Sequence, residues 1–152
     1  MEILRPNHSD DSGESDPMNR VWERLYLGDW NDAEKLAKLN PQRIGAVITL
    51  CEDSVMARAR RVNYLHFPVP DSCAIPVAKL DAIIDAIGEN IRWGRVLVHC
   101  GAGVSRAPIM TAAWMAVCGY KNVDAALTEL AELRPIIAPS PVLLKSIKEH
   151  LR

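Results

Sequence analysis

The chain has 152 residues, 49% of them apolar, with 18 basic and 19 acidic side chains for a formal charge of −1. That length holds one domain with a proper core, and the balanced charge argues against a nucleic-acid binder held by bulk positive charge. No apolar run approaches the roughly 18 residues of a membrane span.

Met1 to Leu4, before Arg5-Pro6, is too short for a signal-peptide core. Residues 1–19, polar and acidic from Asn7 on, are expected to form a disordered leader ahead of a folded domain at 20–152. The body then alternates strand and helix patterns. Residues 21–27 read as a strand, and Asn31 or Asp32 as the cap of a helix through Leu39 that Asn40-Pro41 stops. Residues 44–50 are an apolar run, expected as a strand buried on both faces. A short helix over 53–61 and a strand over 64–67 follow. Pro76 suits the first turn of a helix running to Trp93, with Leu80, Ile83, Ile84 and Ile87 on one face and Gly94 at its end. Residues 95–99 give the next strand, and helices are expected at about 106–118, 123–133 and 141–151. Gly119 stops the first of these, Asn122 caps the second, and Ser140 with Pro141 opens the third. The alternation implies an α/β fold, a central and mostly parallel sheet of four to five strands flanked by helices.

The most informative stretch joins a strand to a helix: Val96-Leu97-Val98-His99-Cys100-Gly101-Ala102-Gly103-Val104-Ser105-Arg106. A strand-to-helix turn leaves the first N–H groups of the helix without partners, and these favour an anion. Gly101 and Gly103 allow a concave backbone nest that includes Ala102 and Val104. Arg106 adds a planar fork that grips two phosphate oxygens at once, as a lysine would not. The same field favours thiolate over thiol at Cys100, which makes it a nucleophile at the base of a phosphate cradle. Ser105 is expected to donate its hydroxyl to that sulfur when a phosphocysteine breaks down. His99 is expected to fix the loop rather than act as a base.

His-Cys-x5-Arg, with serine before the arginine, resembles the signature of the protein tyrosine phosphatase superfamily. From about residue 20 to the C-terminus the chain is similar to a small dual-specificity phosphatase domain. Leu25-Tyr26-Leu27-Gly28 resembles that family's opening strand, and Gly103-Val104-Ser105-Arg106-Ala107-Pro108 its loop-to-helix junction. The resemblance implies hydrolysis of phosphotyrosine, phosphoserine or phosphothreonine in proteins through a phosphocysteine, without metal or other cofactor. Relatives with polyanionic substrates often carry charges in the loop. Residues 101–104 have none, which favours singly phosphorylated side chains over phosphoinositides or RNA 5′ ends. A non-catalytic phospho-binding module is expected to lack the cysteine, the arginine or the acid, and a rhodanese-like sulfurtransferase fits the Ser105-Arg106 ending less well.

Ester cleavage leaves an alkoxide or phenoxide that needs a proton. Asp71, in Pro68-Val69-Pro70-Asp71-Ser72-Cys73, lies on a proline-braced loop just past a strand and is the candidate acid. The resemblance agrees, since the family's acid occupies a loop after the corresponding strand. Asp53 is the second choice. Arg134, before Pro135, either enriches the positive potential near the pocket or binds helix-end carbonyls. Where the family has Pro-Asn supporting the loop, this chain has Pro139-Ser140, so Ser140 is a candidate support of shorter reach. Cys51 ends a strand expected beside that of Cys100, at the sheet edge where ligands gather. It reads either as a redox partner, as in some relatives, or as a packing residue, with Cys73 a weaker candidate. Arg58, Arg60 and Arg61 either steer acidic phosphosubstrates or form a solvated face, and Trp22, Trp30, Trp93 and Trp114 are expected as core or partly buried packing. Four cysteines without metal-ligand spacing or disulfide density suggest reduced thiols in a cytoplasm. The expected partner is a phosphorylated protein, met by a monomer that binds neither nucleic acid nor membrane.

Overall fold

Period-two patterning builds the sheet. In the computed structural model the described residues are 18–151, and residues 1–17, with most of the expected leader, lie outside them. Strands β1 (Asn19–Trp22), β2 (Leu25–Gly28), β3 (Ile44–Thr49), β4 (Asn63–His66) and β5 (Arg95–His99) lie in the order β1-β2-β5-β3-β4. All neighbours pair in parallel except β1 with β2. Successive side chains of a strand face opposite sides. Leu25, Leu27, Ala46, Ile48, Val96 and Val98 therefore enter one core, and Tyr26, Val47 and Leu97 the other.

Helix α1 (Trp30–Lys35) closes the smaller core with Ala33, beside Val55 from the connection between β3 and β4. The larger core is covered by α2 (Val77–Ile91), α3 (Arg106–Val117), α4 (Val123–Leu133) and α5 (Pro141–His150). The face expected of α2 is buried, with Leu80, Ile83, Ile84 and Ile87 all inside. Helix α3 is buried from Ala107 to Met115, so it reads as apolar on every side. Its end is set by Gly119, whose φ of +82° favours a residue without Cβ. Asn122 Oδ1 accepts from Ala125 N–H at 2.8 Å to cap α4, and Ser140 Oγ accepts from Leu143 N–H at 3.4 Å to cap α5.

Several expectations need correction. The strand expected over 21–27 is a hairpin, β1 and β2 turning at Glu23-Arg24, and it starts within the expected leader at Asn19. Arg24 leaves the turn to donate to the carbonyls of Ile91 (3.1 Å) and Arg92 (3.2 Å), satisfying the end of α2. Asp29, not Asn31 or Asp32, caps α1. Its Oδ1 accepts from Asp32 N–H at 2.9 Å while Asp32 Oδ2 accepts from Asp29 N–H at 2.8 Å, a reciprocal capping box. The helix ends at Lys35, short of Leu39. Residues 53–61 form no helix. Side chains take the local backbone groups instead: Arg58 Nε donates to Val55 O at 2.7 Å, and Ala59 N–H donates to the Tyr64 hydroxyl at 2.8 Å. Trp22 and Trp114 are buried in edge-to-face contact at 5.9 Å, but Trp93 is 79% exposed past the end of α2.

Candidate active site

Strand β5 delivers Cys100 to the C-terminal edge of the sheet, one of the central positions of the strand order. The loop from Cys100 to Ser105 then enters α3, whose first backbone bond runs from Ile109 N–H to Ser105 O at 3.0 Å. Four loop carbonyls are held from outside. Trp30 N–H donates to Gly101 O at 3.0 Å, and Ala138 N–H to Val104 O at 2.7 Å. Arg134 Nε donates to Gly103 O at 3.0 Å, and His99 Nδ1 to Cys100 O at 3.2 Å. In a trans peptide the carbonyl and the following N–H point opposite ways. Carbonyls turned outward therefore turn the N–H groups of residues 101, 102, 104 and 105 toward the inside of the loop, making a nest for an anion.

His99 is fully buried, and burial lowers its pKa to about 4, so it is neutral at pH 7. A carbonyl only accepts, so the proton is on Nδ1 and Nε2 accepts from Thr49 Oγ1 at 2.8 Å. The ring thus joins the Cys100 carbonyl to Thr49 on β3. Arg134, also buried, holds Gly103 from behind and donates through Nη1 to Asn19 Oδ1 at 2.9 Å. It binds a loop carbonyl.

The loop carrying Asp71 meets the cysteine loop. Arg106 Nη1 donates to Val69 O at 3.2 Å, while Arg106 Nε is buried with no protein partner. Val69 N–H donates to Leu50 O at 2.9 Å, and Ile75 N–H to Ser146 Oγ at 2.9 Å. Both ends of the loop are thus tied to buried elements, with Asp71 exposed between them and Ser72 at a left-handed φ of +62°. Ser105 Oγ donates to Asp71 Oδ1 at 2.9 Å and accepts from Ser140 N–H at 2.9 Å. Sequence reasoning aims that hydroxyl at sulfur. In the structure it is aimed at Asp71. Ser140 reaches the loop through its backbone, its side chain being used to cap α5, so the shorter side chain is no obstacle.

Cys51 is buried at the same sheet edge, where Leu50 N–H donates to His99 O at 3.0 Å. Its thiol faces Asp53 O at 3.6 Å, and burial pushes its pKa up while the Arg106 charge pulls the other way. Asp53 and Cys73 are exposed, and no bond of theirs reaches the cysteine loop among the described contacts. Arg58 lies over the Tyr64 ring at 5.0 Å, and Tyr64 pairs with Val47 in mid-strand, so this part of the basic cluster is set back from the cysteine loop. Sequence reasoning did not find the Trp30 and Ala138 contributions, which are backbone N–H groups with no side-chain signature. The Asp29-x-x-Asp32 spacing did carry a signal for its cap.

The family described as dual specificity phosphatase, catalytic domain, matches residues 25–152. Human dual specificity protein phosphatase 15 is 34% identical over 128 residues, covering 82% of this chain and 43% of that protein. Dual specificity protein phosphatase 18 from Bos taurus is 29% identical over 128 residues, covering 81% of this chain and 66% of its own length. The chain thus spans about half to two thirds of these relatives. A crystal structure of DUSP15 superimposes with a TM-score of 0.79 at 28% identity, covering 88% of this chain and 86% of that one.

Proposed function

The chain belongs to the dual-specificity phosphatase family, and from that premise we propose that it hydrolyses phosphotyrosine, phosphoserine or phosphothreonine in proteins through a phosphocysteine, by a route that uses no metal. The observation that carries the proposal is the set of inward loop N–H groups beside Cys100, with the buried Nε of Arg106 unpartnered and Asp71 bound to Ser105 of the same loop.

Cys100 thiolate attacks phosphorus. The inward N–H groups and the Arg106 fork hold the three equatorial oxygens, where donors fixed before the reaction cost no reorganisation. Asp71 gives its proton to the leaving oxygen, then takes one from the water that attacks the phosphocysteine. Phosphorus moves to water, the P–S electron pair returns to sulfur, and two easier displacements replace one hard one. The loop between Cys100 and Arg106 carries no charged side chain, which suits a singly phosphorylated residue.

The proposal includes a monomeric enzyme. No helix among the described residues is long and apolar enough to cross a membrane, and all four cysteines are free, in keeping with a reducing cytoplasm. We extend the proposal to Cys51 as the thiol that captures an oxidised Cys100. Turnover of phosphotyrosine and phosphothreonine peptides beside phosphoinositides and triphosphorylated RNA tests the substrate class. The peptides should be hydrolysed, and activity confined to the lipid or RNA substrates would contradict the reading.

A further inference from the structure

The Ser105 hydroxyl has one proton, and its neighbours fix where that proton points. Ser140 N–H donates to Ser105 Oγ at 2.9 Å, so this partner occupies an oxygen lone pair and cannot receive the proton. The proton goes to Asp71 Oδ1, also at 2.9 Å. Ser105 is buried at the N-cap of α3, whereas Asp71 projects from an exposed loop, so the rigid partner is the serine. The tie from Arg106 to Val69 O anchors the loop backbone two residues earlier but leaves the carboxyl free to rotate. Only the serine bond sets its angle among the described contacts.

We propose that Ser105 is the positioning residue for the general acid, holding Asp71 Oδ1 as an acceptor so that Oδ2 carries the proton toward the leaving group. The inference rests on the phosphatase reading above and deepens it. As the S–P bond forms and the P–O ester bond breaks, the leaving oxygen takes the electron pair and the Oδ2 proton. Asp71 becomes a carboxylate, and the bond from Ser105 strengthens because its acceptor is now charged. The serine therefore favours the product of proton transfer as well as its direction. When water attacks the phosphocysteine, its proton returns to Oδ2 by the same geometry.

The test is the dependence of kcat/KM on leaving-group acidity, measured with a graded series of aryl phosphates from 4-nitrophenyl to phenyl. General acids contribute about 10²–10⁴-fold, and a misdirected acid loses part of that. Ser105→Ala is expected to lose about tenfold or more on phenyl phosphate and much less on 4-nitrophenyl phosphate, steepening the dependence toward that of Asp71→Asn. Adding Ser105→Ala to Asp71→Asn should steepen it no further, and Ser105→Thr, which keeps the hydroxyl, should restore the shallow slope. Ser105→Cys, similar in size with a weaker donor, gives the same reading should the alanine variant fail to fold. A Ser105→Ala slope equal to wild type, with Asp71→Asn steep, would overturn the positioning role and leave the phosphatase reading standing. A wild-type protein inert on every aryl phosphate would overturn the phosphatase reading itself.

Discussion

Gly103 packs directly on Gly28: a Cβ built on Gly103 would stand 2.7 Å from the Gly28 carbonyl oxygen and 2.7 Å from Arg134 Nη2. Gly103 also has a φ of +72°. A side chain here meets backbone that cannot swing away, in a conformation that alone costs about 1–2 kcal/mol for an L residue. Gly103→Ala is expected to lower the melting temperature and to weaken competitive inhibition by inorganic phosphate at least tenfold. Unchanged inhibition would mean that the loop's shape does not depend on this contact.

Asp71→Asn should slow an alkyl phosphopeptide far more than an aryl ester whose leaving group needs little protonation. Asp53→Asn should behave as wild type, because Asp71 bonds Ser105 of the cysteine loop and no described contact of Asp53 reaches that loop. The pH–rate profile checks this independently, since the Asp71 variant should lose the basic limb. The opposite pattern in the two variants would place the acid on the other loop.

The parts of the fold that were legible in the sequence are those where one local signal had no competitor. The strand run into Cys100, the caps Asn122 and Ser140, and the glycine stop at 119 depend on neighbours in the chain. The turn at Glu23-Arg24 was not legible, because it interrupts an apolar run without glycine, proline or asparagine. A helix over 53–61 is a fair reading of Ala57, Arg58 and Ala59, yet the Tyr64 hydroxyl, on the strand that follows, claims the Ala59 N–H. The site divides the same way. Residue type and spacing mark Cys100, Arg106 and Asp71 as candidates, but the direction of the Ser105 hydroxyl depends on Ser140 and Asp71, 35 and 34 residues away.

Asp32 and His99 should pull stability in opposite directions with pH. Burial raises the Asp32 pKa from 3.8 to about 6. Its contribution is therefore fully present below pH 3.8 and lost as pH rises through about 6. Burial lowers the His99 pKa from 6.5 to about 4, so its contribution is present above pH 6.5 and lost as pH falls toward 4. The two windows overlap and offset each other. Asp32→Asn keeps an oxygen for the Asp29 N–H and removes the buried charge, its amide nitrogen taking the place of the unpartnered Oδ1. Urea unfolding across this range should show the variant gaining on wild type as pH rises. Parallel curves would mean that Asp32 ionises freely in the fold.

Cys51→Ser tests the redox proposal. Peroxide converts the Cys100 thiolate to sulfenic acid, and the Cys51 thiol displaces water to form a disulfide that a dithiol reduces. Wild type should recover activity with dithiol after a peroxide pulse, and the variant should not. Equal recovery in both would leave Cys51 as packing.

The most direct measurement is intact mass on enzyme quenched during turnover of an aryl phosphate. Asp71→Asn should slow breakdown of the intermediate and accumulate a species heavier by one phosphoryl group, mapped to Cys100. Cys100→Ser should show neither that species nor turnover, Arg106→Lys should form it poorly, and chelators should change nothing. Substantial turnover by Cys100→Ser, or a phosphoryl group on any other residue, would contradict a route through Cys100.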